Sequence, residues 1–201
     1  MKINIFFLLC ILIGRVYATS IPDQTNVCVA CHGPTGLSMN PQWPNLAGQH
    51  ASYLKKQLSD FKANNGRSSE LMRPFVMNLS KDDIEQIALY YSNQALPSSE
   101  KSSVSSKKRS FLERGEQLYK TGDLKRHIPA CIACHGPTGR GNAHAGFPVL
   151  SKQKVDYMII QLQAFKAKQR TNDPSAVMQD ISLRMTKIDM EAVSNYIATI
   201  D

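Results

Sequence analysis

The chain has no cysteine to spare for a disulfide framework. Of its five cysteines, Cys10 lies in the N-terminal apolar segment and the other four fall in two copies of one short motif, so a small disulfide-stapled fold is excluded. A spanning helix is missing as well. The apolar run over residues 3–13 falls short of the roughly 18 apolar residues such a helix needs, and no later stretch comes nearer. Nor does any segment alternate apolar and polar residues convincingly, which argues against a sandwich or barrel and for an all-α chain.

What stands at the N-terminus reads as a secretory signal peptide: Lys2, the apolar run, then Val16-Tyr17-Ala18 as a small-residue cleavage site before Thr19. Residues 1–18 take Lys2 and Arg15 with them and no acid, so the formal net charge falls by two, from +8 to +6. A basic exported chain favours acidic protein partners or anionic membrane surfaces, with peripheral membrane association as one outcome. Export excludes nucleic acid as the partner.

Two copies of C-x-x-C-H carry the chemistry: Cys28-Val29-Ala30-Cys31-His32 and Cys131-Ile132-Ala133-Cys134-His135, each followed by Gly-Pro-Thr-Gly. Two thiols at this spacing add to the two vinyl groups of one haem, and the adjacent imidazole reaches its iron from the same short turn. A redox dithiol or half a zinc site explains C-x-x-C but not the histidine after it. The motif therefore implies two covalently bound haem c groups, held by Cys28, Cys31, Cys131 and Cys134, with His32 and His135 as axial iron ligands.

The sequence also aligns with itself. Asn45-Leu46 is answered by Val149-Leu150, Tyr53 to Leu58 by Tyr157 to Leu162, and Phe61-Lys62 by Phe165-Lys166, which marks a duplicated domain. Residues 1–18 then form the signal peptide, 19–96 an N-terminal domain, 97–109 a Ser/Lys-rich linker and 110–201 a C-terminal domain. Leu54, Leu58 and Phe61, like Val155, Met158, Leu162 and Phe165, form amphipathic helical stripes. Ser80-Lys81-Asp82-Asp83 and Thr186-Lys187-Ile188-Asp189 signal the N-terminus of a final helix in each half. Gly115, on the helical stripe that opens the second half, is placed to let another helix approach closely.

The second axial ligand decides whether each iron is closed. Of eight methionines, Met72 and Met178 alone match between the halves, each eight residues before its cap, Ser80 or Thr186. On that register Met77 is answered by Leu183 and Met185 by Leu79, so these read as exchangeable apolar core positions. Met39 lies too near His32 in sequence to cross the haem, and Met158 falls on a core stripe. His50, His127 and His144 have no counterpart in the other half, and His50 stays open as an alternative ligand. Pro44 and Pro148, twelve and thirteen residues after the motif histidines, mark where a carbonyl would orient the imidazole, or else merely stiffen a loop. Arg67 and Arg170 are candidates to pair with haem propionates.

Through Cys28 to Gly33, Trp43-Pro44-Asn45-Leu46-Ala47-Gly48-Gln49-His50, Ile128-Pro129-Ala130-Cys131 and Gly141-Asn142, the chain resembles the cytochromes c4, dihaem members of the small soluble cytochromes c. The resemblance implies two tandem class I cytochrome c domains joined by a linker, His/Met ligation of both irons, a periplasmic location and electron delivery toward a terminal oxidase among membrane respiratory complexes. One departure stands out: Leu150-Ser151-Lys152-Gln153 replaces the Leu46-Ala47-Gly48-Gln49 of the first half. An electron carrier, not an enzyme, is the expectation. The alternatives are a haem-bearing subunit of a larger oxidoreductase complex and a dihaem peroxidase, which would need an open iron with an acid or base beside it.

Overall fold

In the computed structural model the described residues are 23–97 and 106–200. The proposed signal peptide and residues 98–105 of the linker stretch lie outside them. Among the described residues there are nine α-helices and no strand. Three isolated bridges, Arg67 with Arg170, Asp123 with Ile128 and Asn142 with Phe147, are the β-type pairings among them.

The first half holds α1 (Asn26–His32), α2 (Ala51–Ala63), α3 (Arg73–Val76) and α4 (Lys81–Ser92); the second holds α5 (Ser106–Lys120), α6 (Ile132–His135), α7 (Val155–Lys166), α8 (Val177–Arg184) and α9 (Lys187–Ile197). Helix α5 thus begins inside the stretch read as linker. Its first residues, Ser106-Lys107-Lys108-Arg109, have a composition that suits a helix start as well as a tether.

Each repeat builds its own core. In the first, Leu54 of α2 meets Val76, Leu79 and the α4 stripe Ile84, Ile87, Tyr91; in the second, Met158 meets Met185, Met190, Val193 and Ile197, with Leu118 and Tyr119 added from α5. Helix α4 starts at a full capping box, Ser80 with Asp83, and α9 at another, Thr186 with Asp189. Each box satisfies two otherwise orphaned backbone donors. Lys62 and its counterpart Lys166 reach the carbonyls of Leu79 and Met185, just ahead of these caps.

Helix α5 crosses α9 at Gly115, where an added Cβ would collide with the Ala192 carbonyl and the Tyr196 side chain. The glycine is needed for contact, not for turning. By contrast Lys152 takes the left-handed φ of 60° that Gly48 takes at 64°. The substitution in the second repeat therefore keeps the turn at a modest steric cost.

The two repeats face each other across a pseudo-twofold contact. The Gln49 side chain donates to the Val149 carbonyl and accepts from the Val149 amide, both at 2.9 Å. Its counterpart Gln153 donates to the Asn45 carbonyl at 2.9 Å and accepts from the Asn45 amide at 2.8 Å. Since Asn45 is buried, Gln153→Ala orphans the Asn45 amide and carbonyl at about 1 kcal/mol each, the low end for an unpaired buried group, and also frees the Lys154 amide, which water can reach at a partly exposed residue. Calorimetry of the haem-loaded protein is expected to show a loss of about 2 kcal/mol and a splitting of one cooperative transition into two.

Candidate haem sites

His32 and His135 end the motif helices and turn inward, 7% and 8% exposed. The Nδ1–H of His32 donates to the Pro44 carbonyl at 3.0 Å and that of His135 to the Pro148 carbonyl at 3.1 Å. A carbonyl only accepts, so the proton sits on Nδ1 and the Nε2 lone pair is left for a metal. Burial lowers the pKa of both imidazoles, with the bond to the proline carbonyl working the other way. The neutral, ligating form is favoured. Pro44 and Pro148 are thus acceptor positions and not merely loop stiffeners.

Cys28, Cys31, Cys131 and Cys134 form no disulfide. Burial pushes Cys131 up to about 11, and it raises Cys28 too, with Cys31 adding to the effect. A reactive dithiol has its thiol pKa lowered by positive surroundings, so these sites are arranged the opposite way. Among the described residues no group of three or more His, Cys, Asp or Glu is assembled to hold a metal ion. Thiols kept neutral against apolar side chains, beside an imidazole with its Nε2 free, fit covalent haem attachment.

Met72 stands at the head of α3 and packs, with Cys28, against the first core. Its amide donates to Ser69 Oγ at 3.2 Å. Met178 lies in the first turn of α8, and its amide donates to Asp173 Oδ2 at 2.7 Å. Seven residues separate Arg170 from Met178 against four between Arg67 and Met72. The short turn Pro174–Ala176 takes up part of the excess. Of the remaining methionines, Met39 is 95% exposed and Met158 is buried. Leu79 and Met185 are core as expected. Met77 and Leu183, also read as core, are instead exposed; Met77 falls one residue past the end of the four-residue α3, where the chain leaves the packed face. The Nε2 of His50 meets the Arg140 carbonyl at 2.9 Å across the repeat contact, while His127 and His144 are exposed.

Sequence reasoning missed the polar lattice between the repeats. Arg67 lies over Phe61 and donates to Tyr157 Oη at 2.9 Å; Arg170 lies over Phe165 and donates to Tyr53 Oη at 2.8 Å. Gln57 Oε1 accepts from both guanidinium groups. The only signal was that Tyr53 and Tyr157, like Gln49 and Gln153, recur at the same place in both repeats. Both arginines are 7% exposed, yet neither has a carboxylate partner among the described residues. Buried cations need counter-anions. Arg170 also donates to Asn172 Oδ1 at 3.0 Å and to Gln161 Oε1 at 2.8 Å.

Two such sites on one all-helical chain define a dihaem c-type cytochrome, an electron-transfer protein. The cytochrome c family model matches twice, over residues 24–94 and 112–201. The chain is 41% identical over 173 residues to cytochrome c4 of Thiocapsa roseopersicina, covering 85% of each chain. Its fold is similar to the crystal structure of reduced recombinant cytochrome c4 from Pseudomonas stutzeri, with a TM-score of 0.79 and 38% identity over 89% of this chain and 95% of that one. The chain belongs to the cytochrome c4 family. A thiosulfate dehydrogenase electron acceptor of Stutzerimonas stutzeri (strain A1501) is also similar, 34% identical over 86% of this chain and 78% of that protein.

Proposed function

We propose that this chain is a periplasmic carrier that passes single electrons through two His/Met-ligated haems toward a terminal oxidase, with Met72 and Met178 as the second axial ligands. Each bound haem iron supplies a one-electron couple, and the protein has only to hold that couple rigidly and keep water away. His32 and His135 are locked by carbonyl bonds, so the imidazoles do not rotate when charge changes. Arg67 and Arg170 would take haem carboxylates by charge-assisted bonds. The observation that carries the reading is the matched pair of methionines, each with its amide fixed by a neighbouring side chain. The basic sequence favours acidic partners and anionic membrane surfaces, and the leader-like N-terminus supports export. No described helix is long and apolar enough to cross a membrane.

A second reading concerns the donor. The likeness to a thiosulfate dehydrogenase electron acceptor favours a chain that takes electrons from a sulfur-oxidising enzyme, working as its haem-bearing partner.

The purified dihaem protein is expected to titrate with two electrons per chain and to be reoxidised by oxidase-bearing membranes in a cyanide-sensitive reaction. It should leave carbon monoxide unbound. Ready carbon monoxide binding with peroxide turnover would instead establish the peroxidase. Reduction by thiosulfate dehydrogenase plus thiosulfate, but no reoxidation by membranes, would replace the oxidase route with the second reading.

A further inference from the structure

Tyr91 of α4 is 0% exposed, and its hydroxyl has no hydrogen-bond partner among the described residues. Leaving such a group unpaired costs on the order of 1–3 kcal/mol. Three serine hydroxyls in the second repeat, on Ser151, Ser182 and Ser194, are also unpaired. Ser182 and Ser194 lie inside helices, where a rotation brings the hydroxyl to a carbonyl one turn back. A tyrosine hydroxyl, fixed at the end of a ring, has no such local escape.

The neighbouring tyrosines are already committed. Tyr90, edge-on to Tyr91 at 5.1 Å, donates to the Pro34 carbonyl at 2.7 Å. In the second repeat Tyr119 interacts electrostatically with Cys131, as Tyr91 does with Cys28, but its hydroxyl is spent on the Gly136 carbonyl at 2.6 Å. On the register that pairs Ser80 with Thr186, Tyr91 is answered by Ile197. Among the described residues, only the first repeat therefore has an uncommitted buried tyrosine hydroxyl that interacts with its motif cysteine, in a core against which both Cys28 and Met72 pack.

We propose that the Tyr91 hydroxyl donates to a thioether sulfur at the N-terminal haem, either that of Cys28 after attachment or that of Met72 as iron ligand, and so sets the potential of this haem apart from that of the other. The Met72 alternative rests on the ligation proposed above. A donor on either sulfur draws electron density from the iron or the ring and favours the reduced state. Its removal lowers the potential of that haem alone.

The test is Tyr91→Phe in the haem-loaded full chain, an isosteric change that keeps the packing. At fixed solution potential the reduced-to-oxidised ratio of the N-terminal haem is expected to fall about threefold, about 28 mV at 59 mV per tenfold, with the C-terminal haem unchanged. The weak far-red methionine-to-ferric-iron band separates the acceptors: a band displaced in the variant identifies Met72, and a potential shift with the band unmoved identifies Cys28. If the wild-type N-terminal haem lacks that band, Met72 ligation fails, while a potential shift in the variant still supports the donor through Cys28. Two unchanged potentials with a raised melting temperature would overturn the proposal, because they describe a hydroxyl with no acceptor at all.

Discussion

Met72→Ala and Met178→Ala are each expected to remove about half of the far-red methionine band, to lower the potential of one haem and to let one carbon monoxide bind per chain; the double variant takes up two. The effect is large because an axial thioether stabilises the reduced iron and also closes it, and alanine does neither. Two controls separate ligation from packing. Met185→Ala removes a 3% exposed side chain, so it should cost about 2–4 kcal/mol of stability and leave the band intact. Met77→Ala, at a position 49% exposed, should change neither. If the band survived in the double variant, ligation by both methionines would be falsified.

The controls also show where sequence stops being informative. Register alone pairs Met72 with Met178, each eight residues before its cap. Register did not report burial. Met77 and Leu183 answer each other yet are both exposed, Met77 just past the end of the four-residue α3 and Leu183 on the outward side of α8, and elements this short give too few turns for a stripe to show which side is buried. The long stripes on α2 and α7 and both capping boxes were legible, since each is a local pattern with a local cause. The lattice of Gln49, Gln57, Tyr53, Arg67 and their counterparts was not. Its partners lie roughly a hundred residues apart in the chain, and polar side chains that pair across a contact have no spacing rule of their own.

The same limit hides an asymmetry in stability. Asp189, 3% exposed, not only closes its capping box but also accepts from Arg114 at 2.9 Å and Arg126 at 2.6 Å, while Asp123 ties the two arginines together. Its counterpart Asp83 is only half-buried, and its carboxylate closes the capping box with Ser80. Arg114 comes from α5, and Arg126 from a turn that follows it.

Asp189→Asn should therefore cost about 3 kcal/mol near neutral pH, toward the lower end for breaking a buried ion pair, because both arginines are partly exposed and keep Asp123. The pH dependence has a definite sign. Burial alone would raise the Asp189 pKa, but the bonds from Arg126, Thr186 and Arg114 hold it far below the usual carboxylate range. A carboxylate depressed in the folded state contributes its full stability above the unfolded value of about 3.9 and loses it as pH falls toward the folded value. Wild type and variant should then differ most above about pH 4 and converge in stronger acid. Denaturant unfolding of the haem-loaded protein across that pH range measures this directly, and a gap that widened in acid would mean that Asp189 is protonated in the native state.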